Sequence, residues 1–206
     1  MDHPVVLIAS KNPHKIEEMS AILAGSGIRV LSALDFPDLP DVEETGVTLE
    51  ENAVLKAESV FRVSGLACVA DDTGLEADAL NGEPGVYSAR YAGNGATYSD
   101  NVKKLLSELK NVPSDSRTAR FRTVIALKTE RGIEVFHGVC EGRILEVPAG
   151  TGGFGYDPVF RPDGYSESFA QMDASEKNRI SHRGLALQKL SLFLTENPEY
   201  LLKKSI

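Results

Sequence analysis

The chain has 206 residues, of which 42% are hydrophobic and 25% charged. This length and composition support one packed α/β domain or two lobes around a shared sheet. They exclude a disordered or repeat protein. Its formal net charge of -8 disfavours nucleic-acid binding, because polyanions would be repelled at long range. Cys68 and Cys140 lack metal-ligand spacing, so we expect two reduced core residues rather than a disulfide framework or a zinc site.

The sequence contains no linker, and we expect a single domain over residues 1–206. The first residues lack the basic segment and apolar core of a signal peptide. The apolar run that follows them is also too short to span a bilayer. We therefore expect a cytoplasmic protein.

The first predicted elements are a buried strand over residues 5–9 and a helix over residues 13–24. Asn12 is a favourable N-cap for this helix. Pro13 suits the first helical position, where the N–H that proline lacks would have no partner within the helix. Gly25 follows and should end the helix.

The loop over residues 10–15 (SKNPHK) leads from this strand into the helix and is a candidate phosphate site. Backbone N–H groups and the positive end of the helix dipole converge at such a position, and Lys15 adds a full charge. The loop lacks the Gly-Lys-Ser/Thr sequence of a Walker A motif. A plain capped helix start is the alternative interpretation.

A second helix is predicted to begin after Thr48, which forms a capping-box pattern with Glu51. Gly65 should end this helix. Asn52 and Lys56 lie four residues apart and therefore share one helix face. That face carries an amide and an ammonium group side by side.

The next predicted strand covers residues 66–70, and we expect residues 71–74 (DDTG) to form the turn at its carboxyl end. In α/β sheets, ligands bind beyond the carboxyl ends of strands. An exposed polar turn is the alternative, because aspartate is common in such turns.

Asp71 and Asp72 concentrate negative charge at this strand end, and a divalent cation would offset it. Mg²⁺ typically takes one or two carboxylates together with substrate phosphates. Glu44, or Glu43 beside it, could supply the second carboxylate. The residues alone leave open which of the four contact the metal.

The second half of the chain indicates a mixed sheet flanked by helices, and so an α/β fold class. Apolar residues repeat at helical spacing from Val102 to Leu109, and this helix should end before Pro113. Strands over residues 120–128 and 133–139 are predicted to form an antiparallel hairpin.

Residues 150–158 (GTGGFGYDP) contain more glycine than a simple turn needs. Glycine lets the backbone approach a ligand closely, and the rings of Phe154 and Tyr156 could stack on a planar base. Packing of these rings into a core is the alternative. A last group of donors lies near the start of the final predicted helix, residues 182–197: Lys177, Ser181, His182 and Arg183. A lone histidine there would ordinarily be a surface or capping residue.

Six stretches spread over nearly the whole chain carry a more specific signal. They are SKNPHK (10–15), EETG (43–46), ENAVLKA (51–57), ADDTGLEADALNGEPGVYSARYAG (70–93), AGTGGFGYDPVF (149–160) and SEKNRISHRG (175–184). In these stretches the chain resembles the inosine triphosphate pyrophosphatase family, which hydrolyses non-standard purine nucleoside triphosphates. The long central block is the most specific of the six.

The resemblance implies a role for each matching residue. On the phosphate side, it implies substrate binding by Ser10, Lys11, Asn12, Pro13, His14, Lys15, Lys56 and Thr73, with Ser10, Asn12 and Lys15 holding the triphosphate. Glu44 and Asp72 would surround Mg²⁺, with Asp72 as the general base. On the nucleoside side, it implies Phe154, Gly155, Tyr156 and Asp157 along the nucleoside and Lys177, His182 and Arg183 near the base.

The function implied by the resemblance is hydrolysis of ITP, dITP or XTP to the monophosphate and pyrophosphate, which cleanses the nucleotide pool. It also implies an elongated mixed sheet, two lobes around a central nucleotide-binding cleft, and a homodimer. Two alternatives remain, a pyrophosphatase for pyrimidine or modified nucleotides and a non-catalytic nucleotide-binding protein. A haloacid-type phosphatase is disfavoured, because its Asp-x-Asp spacing is absent from residues 71–73.

Overall fold

The computed structural model of the protein describes residues 4–24 and 27–201. Its helices are α1 (Pro13–Leu23), α2 (Leu49–Ser64), α3 (Tyr98–Glu108), α4 (Ala174–Ile180) and α5 (His182–Glu196). Its strands are β1 (Val5–Ile8), β2 (Arg29–Ser32), β3 (Cys68–Ala77), β4 (Pro84–Gly85), β5 (Thr118–Thr129), β6 (Gly132–Ile144) and β7 (Phe160–Pro162). Gly25, the predicted end of the first helix, and the first three residues lie outside the described residues.

The strands form a mixed sheet in which hydrogen bonds join them in the order β2-β1-β3-β5-β6-β7, with β4 paired to β3. Strand β1 runs parallel to β2 and to β3, with Leu7 opposite Leu31 on one side and Cys68 on the other. Strand β4 is antiparallel to β3, and β7 is antiparallel to β6. The predicted α/β class with a mixed sheet is confirmed.

The chain divides into two compact units. Unit 1 comprises Met1–Asp72, Thr123–Gly138 and Arg183–Ile206, and unit 2 comprises Thr73–Arg122 and Val139–His182. The chain therefore passes between the units four times, and each unit is assembled from segments that are not consecutive in sequence.

Unit 1 has its own apolar core, built from β1, α1, the first part of β3 and the final helix α5. Met19 and Leu23 face this core from α1, one helical turn apart. Helix α5 contributes four buried side chains at helical spacing: Ala186, Leu187, Leu190 and Leu194. Burial of such an apolar face supplies most of the stability of a helix in a protein.

Helix α2 of unit 1 begins and ends where the sequence predicts. Thr48 Oγ1 accepts a hydrogen bond from the Glu51 N–H at 3.1 Å, and Gly65 ends the helix in the left-handed conformation at φ 64°. In a full capping box the Glu51 carboxylate would accept from the N–H of Thr48. Here it accepts instead from the N–H of Val47, at 2.7 Å. The side chain of Glu51 thus fixes the loop that precedes the helix.

Unit 2 packs around a second apolar core. The predicted stripe on α3 is confirmed, since Val102, Leu105 and Leu109 are all buried. Aromatic rings fill the rest, and Phe121 meets Phe160 edge-on with 4.7 Å between ring centroids. Edge-to-face contacts of this kind are a favoured geometry for aromatic pairs.

The predicted turn at residues 71–74 is wrong. Strand β3 continues without interruption from Cys68 to Ala77, and both aspartates lie inside it and are buried. Buried carboxylates normally interrupt a strand pattern because burial of an unpaired charge is costly. Here lysine and arginine side chains from unit 1 offset the charge, as described below.

Two other predictions about the scaffold hold. Strands β5 and β6 are joined by Glu130 and Arg131 and are neighbours in the sheet, as expected for the hairpin, although both are longer than predicted. Cys68 and Cys140 are free and buried, and burial raises the pKa of each thiol to about 12. Among the described residues, no helix combines the length and apolar character that a membrane span requires.

Candidate active site

The start of helix α1 has the capped geometry that the sequence predicts. Asn12 Oδ1 accepts a hydrogen bond from the His14 N–H at 3.1 Å, and Pro13 occupies the first helical position. The Asn12 N–H donates to Ser10 Oγ at 3.2 Å. No acidic residue lies in the first turn, so the positive end of this helix keeps its attraction for an anion.

Asp71 is held by two cations of unit 1. Its Oδ2 lies 3.0 Å from Lys15 Nζ and 3.1 Å from Arg183 Nη2, while the carboxylate is only 2% exposed. Arg183 also donates to Glu18 through Nη1 at 2.5 Å. Burial alone would raise the pKa of Asp71, but Lys15 and Arg183 bring it well below its usual range. Asp71 is therefore fixed in its charged form.

Asp72, the next residue in the strand, has a different environment. Its Oδ1 accepts from Lys56 Nζ at 3.2 Å and its Oδ2 accepts from Asn52 Nδ2 at 3.1 Å. Burial raises the pKa of Asp72; Lys56 opposes this rise and the nearby charge of Glu44 adds to it, leaving the pKa above its ordinary value. Asp72 thus takes up a proton more readily than an ordinary aspartate.

Lys56 joins Glu44 and Asp72, the two carboxylates that the family resemblance places around the metal. Its ammonium lies 2.8 Å from Glu44 Oε1 and 3.2 Å from Asp72 Oδ1. Burial works against this charge, but Asp72, Asp71 and Glu44 together raise the pKa of Lys56. A positive charge therefore already lies between Glu44 and Asp72.

The residues of this cluster fit a magnesium ion of the kind that is completed by substrate. Within residues 4–24 and 27–201, no group of three or more histidine, cysteine, aspartate or glutamate side chains is placed to hold a metal unaided. Mg²⁺ needs fewer protein ligands, because it usually binds one or two carboxylates plus substrate phosphates and water. Glu44 and Asp72 supply two such carboxylates.

Burial of the two lysines has a further chemical effect. Lys15 loses most of its contact with water, and this burial lowers the pKa of its ammonium even though Asp71 opposes the change. A cation stripped of water interacts more strongly with an anion than a hydrated one does. Lys15 and Lys56 can therefore stabilise phosphate oxygens strongly.

The glycine-rich loop belongs to unit 2, where Asp157 organises it. Asp157 Oδ2 accepts from the backbone N–H of Phe154 at 2.8 Å and from Lys177 Nζ at 2.6 Å. Lys177 Nζ also lies 5.0 Å from the centroid of the Phe154 ring, within cation–π range. The same carboxylate thus places an aromatic face and an ammonium donor beside each other.

Gly153 is required by this arrangement, and Gly153→Ala should destabilise the protein. An added Cβ would lie 2.1 Å from Asp157 Oδ2, and φ is +67°. We expect a loss of about 1–3 kcal/mol in the free energy of unfolding, measured by denaturant titration. Gly155→Ala is the matched control, since φ is +63° but nothing lies within 4 Å of its Cβ. An equal loss in both variants would show that backbone strain alone is responsible.

The remaining predicted substrate residues of unit 2 are mostly buried. Tyr156 donates through its hydroxyl to the Ser88 carbonyl at 2.9 Å, and burial raises its pKa. His182 is buried and stacks on Phe121 with 4.4 Å between ring centroids. Thr73 follows the two aspartates in β3 and is partly exposed.

The structure gathers one set of predicted residues in unit 1 and another in unit 2. Unit 1 contains residues 10–15, Glu44, Lys56, Asp72 and Arg183; unit 2 contains Thr73, residues 154–157, Lys177 and His182. Lys11 and His14 are exposed at the start of α1, and Lys11 pairs with Asp41 at 2.6 Å. The guanidinium of Arg183, predicted near the base, is engaged by Asp71 and Glu18.

The sequence interpretation places Asn52 on the same helix face as Lys56 but gives it no role, and it misses Glu18. Glu18 lies three residues after Lys15 on α1, so helical spacing could have pointed to it. Arg183, the partner of Glu18, and Asp72, the partner of Asn52, are distant in sequence, and spacing gives no signal for those contacts.

Comparison with known proteins shows which family this sequence belongs to. The sequence model of the Ham1 family matches residues 6–193. The chain belongs to the Ham1 family. This Ham1-family chain is 48% identical over 191 residues to the dITP/XTP pyrophosphatase of Christiangramia forsetii, covering 93% of this chain and 99% of that protein. It is 50% identical over 186 residues to that of Geobacillus kaustophilus, covering 90% and 91%.

Two solved structures share the fold of this chain. The HAM1 protein of Coxiella burnetii matches with a TM-score of 0.84 and 43% identity, over 93% of this chain and 98% of that chain. The nucleoside-triphosphatase, or dITP/XTP pyrophosphatase, of Mycobacterium abscessus matches with a TM-score of 0.72 and 44% identity, over 90% and 98%. These similarities extend over both units of the chain.

Proposed function

We propose that this Ham1-family protein hydrolyses dITP, ITP and XTP to the nucleoside monophosphate and pyrophosphate. The names of its relatives support this activity, and one observation about the site supports it most directly. Asp71 and Asp72 are adjacent, yet their pKa values are displaced in opposite directions, the first down and the second up. Such a pair provides one carboxylate that keeps its charge and one that can accept a proton.

In the proposed reaction, a water molecule attacks the α-phosphorus of the nucleotide. A bond forms from the water oxygen to phosphorus while the bond from phosphorus to the bridging oxygen of the β-phosphate breaks, so pyrophosphate leaves. Asp72 orients the water and accepts its proton. Lys15, Lys56 and the N–H groups at the start of α1 bind phosphate oxygens as their negative charge increases.

We propose Mg²⁺ as the metal, with Glu44 and Asp72 as the residues that hold it. When bound, Mg²⁺ would supply positive charge to the phosphate oxygens and so make the phosphorus more open to attack. Lys56 contacts both carboxylates and so stabilises their proximity before any nucleotide binds. Asp71 is not assigned to the metal, because its carboxylate is committed to Lys15 and Arg183. Glu43 is not assigned to the metal either.

We propose that base recognition depends on unit 2. The ring of Phe154 offers a stacking face, and Lys177 offers a donor for the 6-oxo group that inosine and xanthosine carry where adenosine carries an amino group. Tyr156, Gly155, Asp157 and His182 are proposed to complete this base site of unit 2. Arg183, which the resemblance implies near the base, is given no base contact here because Asp71 and Glu18 engage its guanidinium. A site built on such hydrogen bonds discriminates by about 10⁴–10⁵. What rejects the 2-amino group of guanine is not assigned.

The organisation of the protein is proposed in the same terms. Because neither unit is a continuous stretch of chain, we propose that residues 1–206 act as one pyrophosphatase domain. A homodimer in the cytoplasm, with no nucleic-acid or membrane partner, completes the proposal. The net charge of -8 supports the absence of a polyanionic partner.

A nucleotide panel tests the proposed activity. We expect Mg²⁺-dependent release of pyrophosphate from ITP, dITP and XTP, with ATP and GTP hydrolysed far more slowly. Phosphorus NMR of the products separates pyrophosphate from orthophosphate. Preference for a pyrimidine or modified nucleotide would assign a related pyrophosphatase instead. Binding without any pyrophosphate release would assign a non-catalytic nucleotide-binding protein.

A further inference from the structure

Asn52 lies at the centre of the carboxylate cluster without belonging to any of the proposed catalytic or metal-binding roles. It is in the first turn of α2 and is fully buried, with 0% exposure. Its Oδ1 accepts from the backbone N–H of Gly46 at 2.8 Å, and its Nδ2 donates to Asp72 Oδ2 at 3.1 Å. One amide group therefore joins the loop that carries Glu44 to the strand that carries Asp72.

The orientation of this amide is determined by its partners. A backbone N–H can only donate, and an ionised carboxylate can only accept, so the oxygen of Asn52 must face Gly46 and its nitrogen must face Asp72. Aspartate would lose the donor, and leucine, of similar size, would lose both bonds. Asparagine satisfies both partners at once.

The same contact requires that residue 46 have no side chain. A Cβ added there would lie 2.6 Å from Asn52 Oδ1 and 2.7 Å from Glu51 Cβ, closer than side chains tolerate. The next residue is fixed as well, because the Val47 N–H donates to the Glu51 carboxylate at 2.7 Å. Two successive N–H groups of the loop, two and three residues after Glu44, are thus bound by side chains of α2.

We infer that Asn52 is a positioning residue for the metal-binding carboxylates, holding Asp72 directly and Glu44 through Gly46. The inference rests on the proposed function, since it gives Asn52 a role toward the same metal. Without this amide, the loop and the strand lose this shared hydrogen-bond partner, while Lys56 continues to link Glu44 with Asp72. Partners of this kind typically contribute 10–100-fold to metal affinity.

Asn101 provides a matched control. It is 2% exposed, its Oδ1 accepts from the Ala92 N–H at 2.8 Å, and its Nδ2 donates to the Ala89 carbonyl at 3.1 Å. The burial and the two-sided bonding equal those of Asn52, but both partners are backbone groups of unit 2. A purely structural asparagine should therefore behave like Asn101.

The experiment measures Mn²⁺ binding by electron paramagnetic resonance, with pyrophosphate present, in the wild type, Asn52→Leu, Gly46→Ala and Asn101→Leu. We expect Mn²⁺ affinity to fall about 10–100-fold in Asn52→Leu and in Gly46→Ala and to stay within about twofold in Asn101→Leu. Thermal unfolding of all variants checks that the compared samples are folded. The Mg²⁺ concentration for half-maximal hydrolysis should rise by a similar factor in the first two variants.

Unchanged Mn²⁺ affinity in folded Asn52→Leu, or an equal loss in Asn101→Leu, would overturn the inference. If Asn52→Leu does not fold, Gly46→Ala decides the matter, because it disturbs the same contact without touching Asp72. Failure of the proposed function is a separate result: the wild type would then release no pyrophosphate, whatever the variants bind.

Discussion

Asp72→Asn should release pyrophosphate about 10²–10⁴ times more slowly than the wild type, the usual contribution of a general base. The amide cannot accept the proton of the attacking water, yet it keeps the size of the carboxylate and can still accept from Asn52. Because Asp72 is also a proposed Mg²⁺ ligand, both proteins are compared at saturating Mg²⁺, where nucleotide binding, measured by calorimetry, should persist. The loss of stability should be smaller than in Asp71→Asn, because Lys56 keeps Glu44 as a partner and burial of the charge on Asp72 is itself unfavourable.

The control for this variant is Asp115→Asn, which neutralises an exposed aspartate in unit 2. We expect wild-type turnover from it. Near wild-type turnover by Asp72→Asn, with normal substrate binding, would remove Asp72 from the role of base. Single-turnover measurements with ITP are required, so that slow product release does not conceal a change in the chemical step.

Asp71→Asn should show the opposite behaviour, with a loss of about 3–5 kcal/mol in the free energy of unfolding. Its neutral amide would leave Lys15 and Arg183 buried together without the carboxylate that both contact. Denaturant titration measures the loss. Asp78→Asn is the comparison, since Asp78 pairs with Arg120 at 2.9 Å on the surface, where ion pairs contribute about 0–1 kcal/mol. Equal losses in the two variants would show that the buried ion pairs of Asp71 contribute no more to stability than a surface ion pair.

Asp71 also determines how the stability of the protein should change at acidic pH. The pKa of Asp71 in the folded state lies well below its unfolded value, which is about 3.9. Its stabilising contribution is therefore complete above about pH 4 and is lost as the pH falls below that value toward the folded pKa. In metal-free protein, the wild type should lose stability over this range, and Asp71→Asn should lose less.

Local signals in the sequence are sufficient for the start of α1 and for both ends of α2. Asn12, Thr48 and Gly65 are caps whose chemistry acts over a few residues, and each has the predicted role. The path of β3 through Asp71 and Asp72 was mispredicted for the converse reason. The charges that make this strand possible come from Lys15, Lys56 and Arg183, which are distant in sequence, so no local pattern could reveal them.

For the candidate site, residue type and position alone point to a group of residues, and only the family resemblance implies a separate role for each. The acidic pair and Lys15 were recognised from residue type and position, and the family motifs added the rest. The division of labour between Asp71 and Asp72 depends on which oxygen meets which cation. Only the three-dimensional contacts distinguish a carboxylate enclosed by Lys15 and Arg183 from one shared by Lys56 and Asn52.

The position of α5 bears on how the nascent protein matures. The core of unit 1 includes Ala186, Leu187, Leu190 and Leu194 of α5, which are translated more than 150 residues after β1, β2 and α1. Strands β1 and β2 and helix α1 are therefore synthesised without these side chains, which become available only when α5 has been translated. During elongation, their apolar surface is a natural target for chaperones, and truncation by a premature stop codon before residue 186 should leave the amino-terminal part unable to close its core.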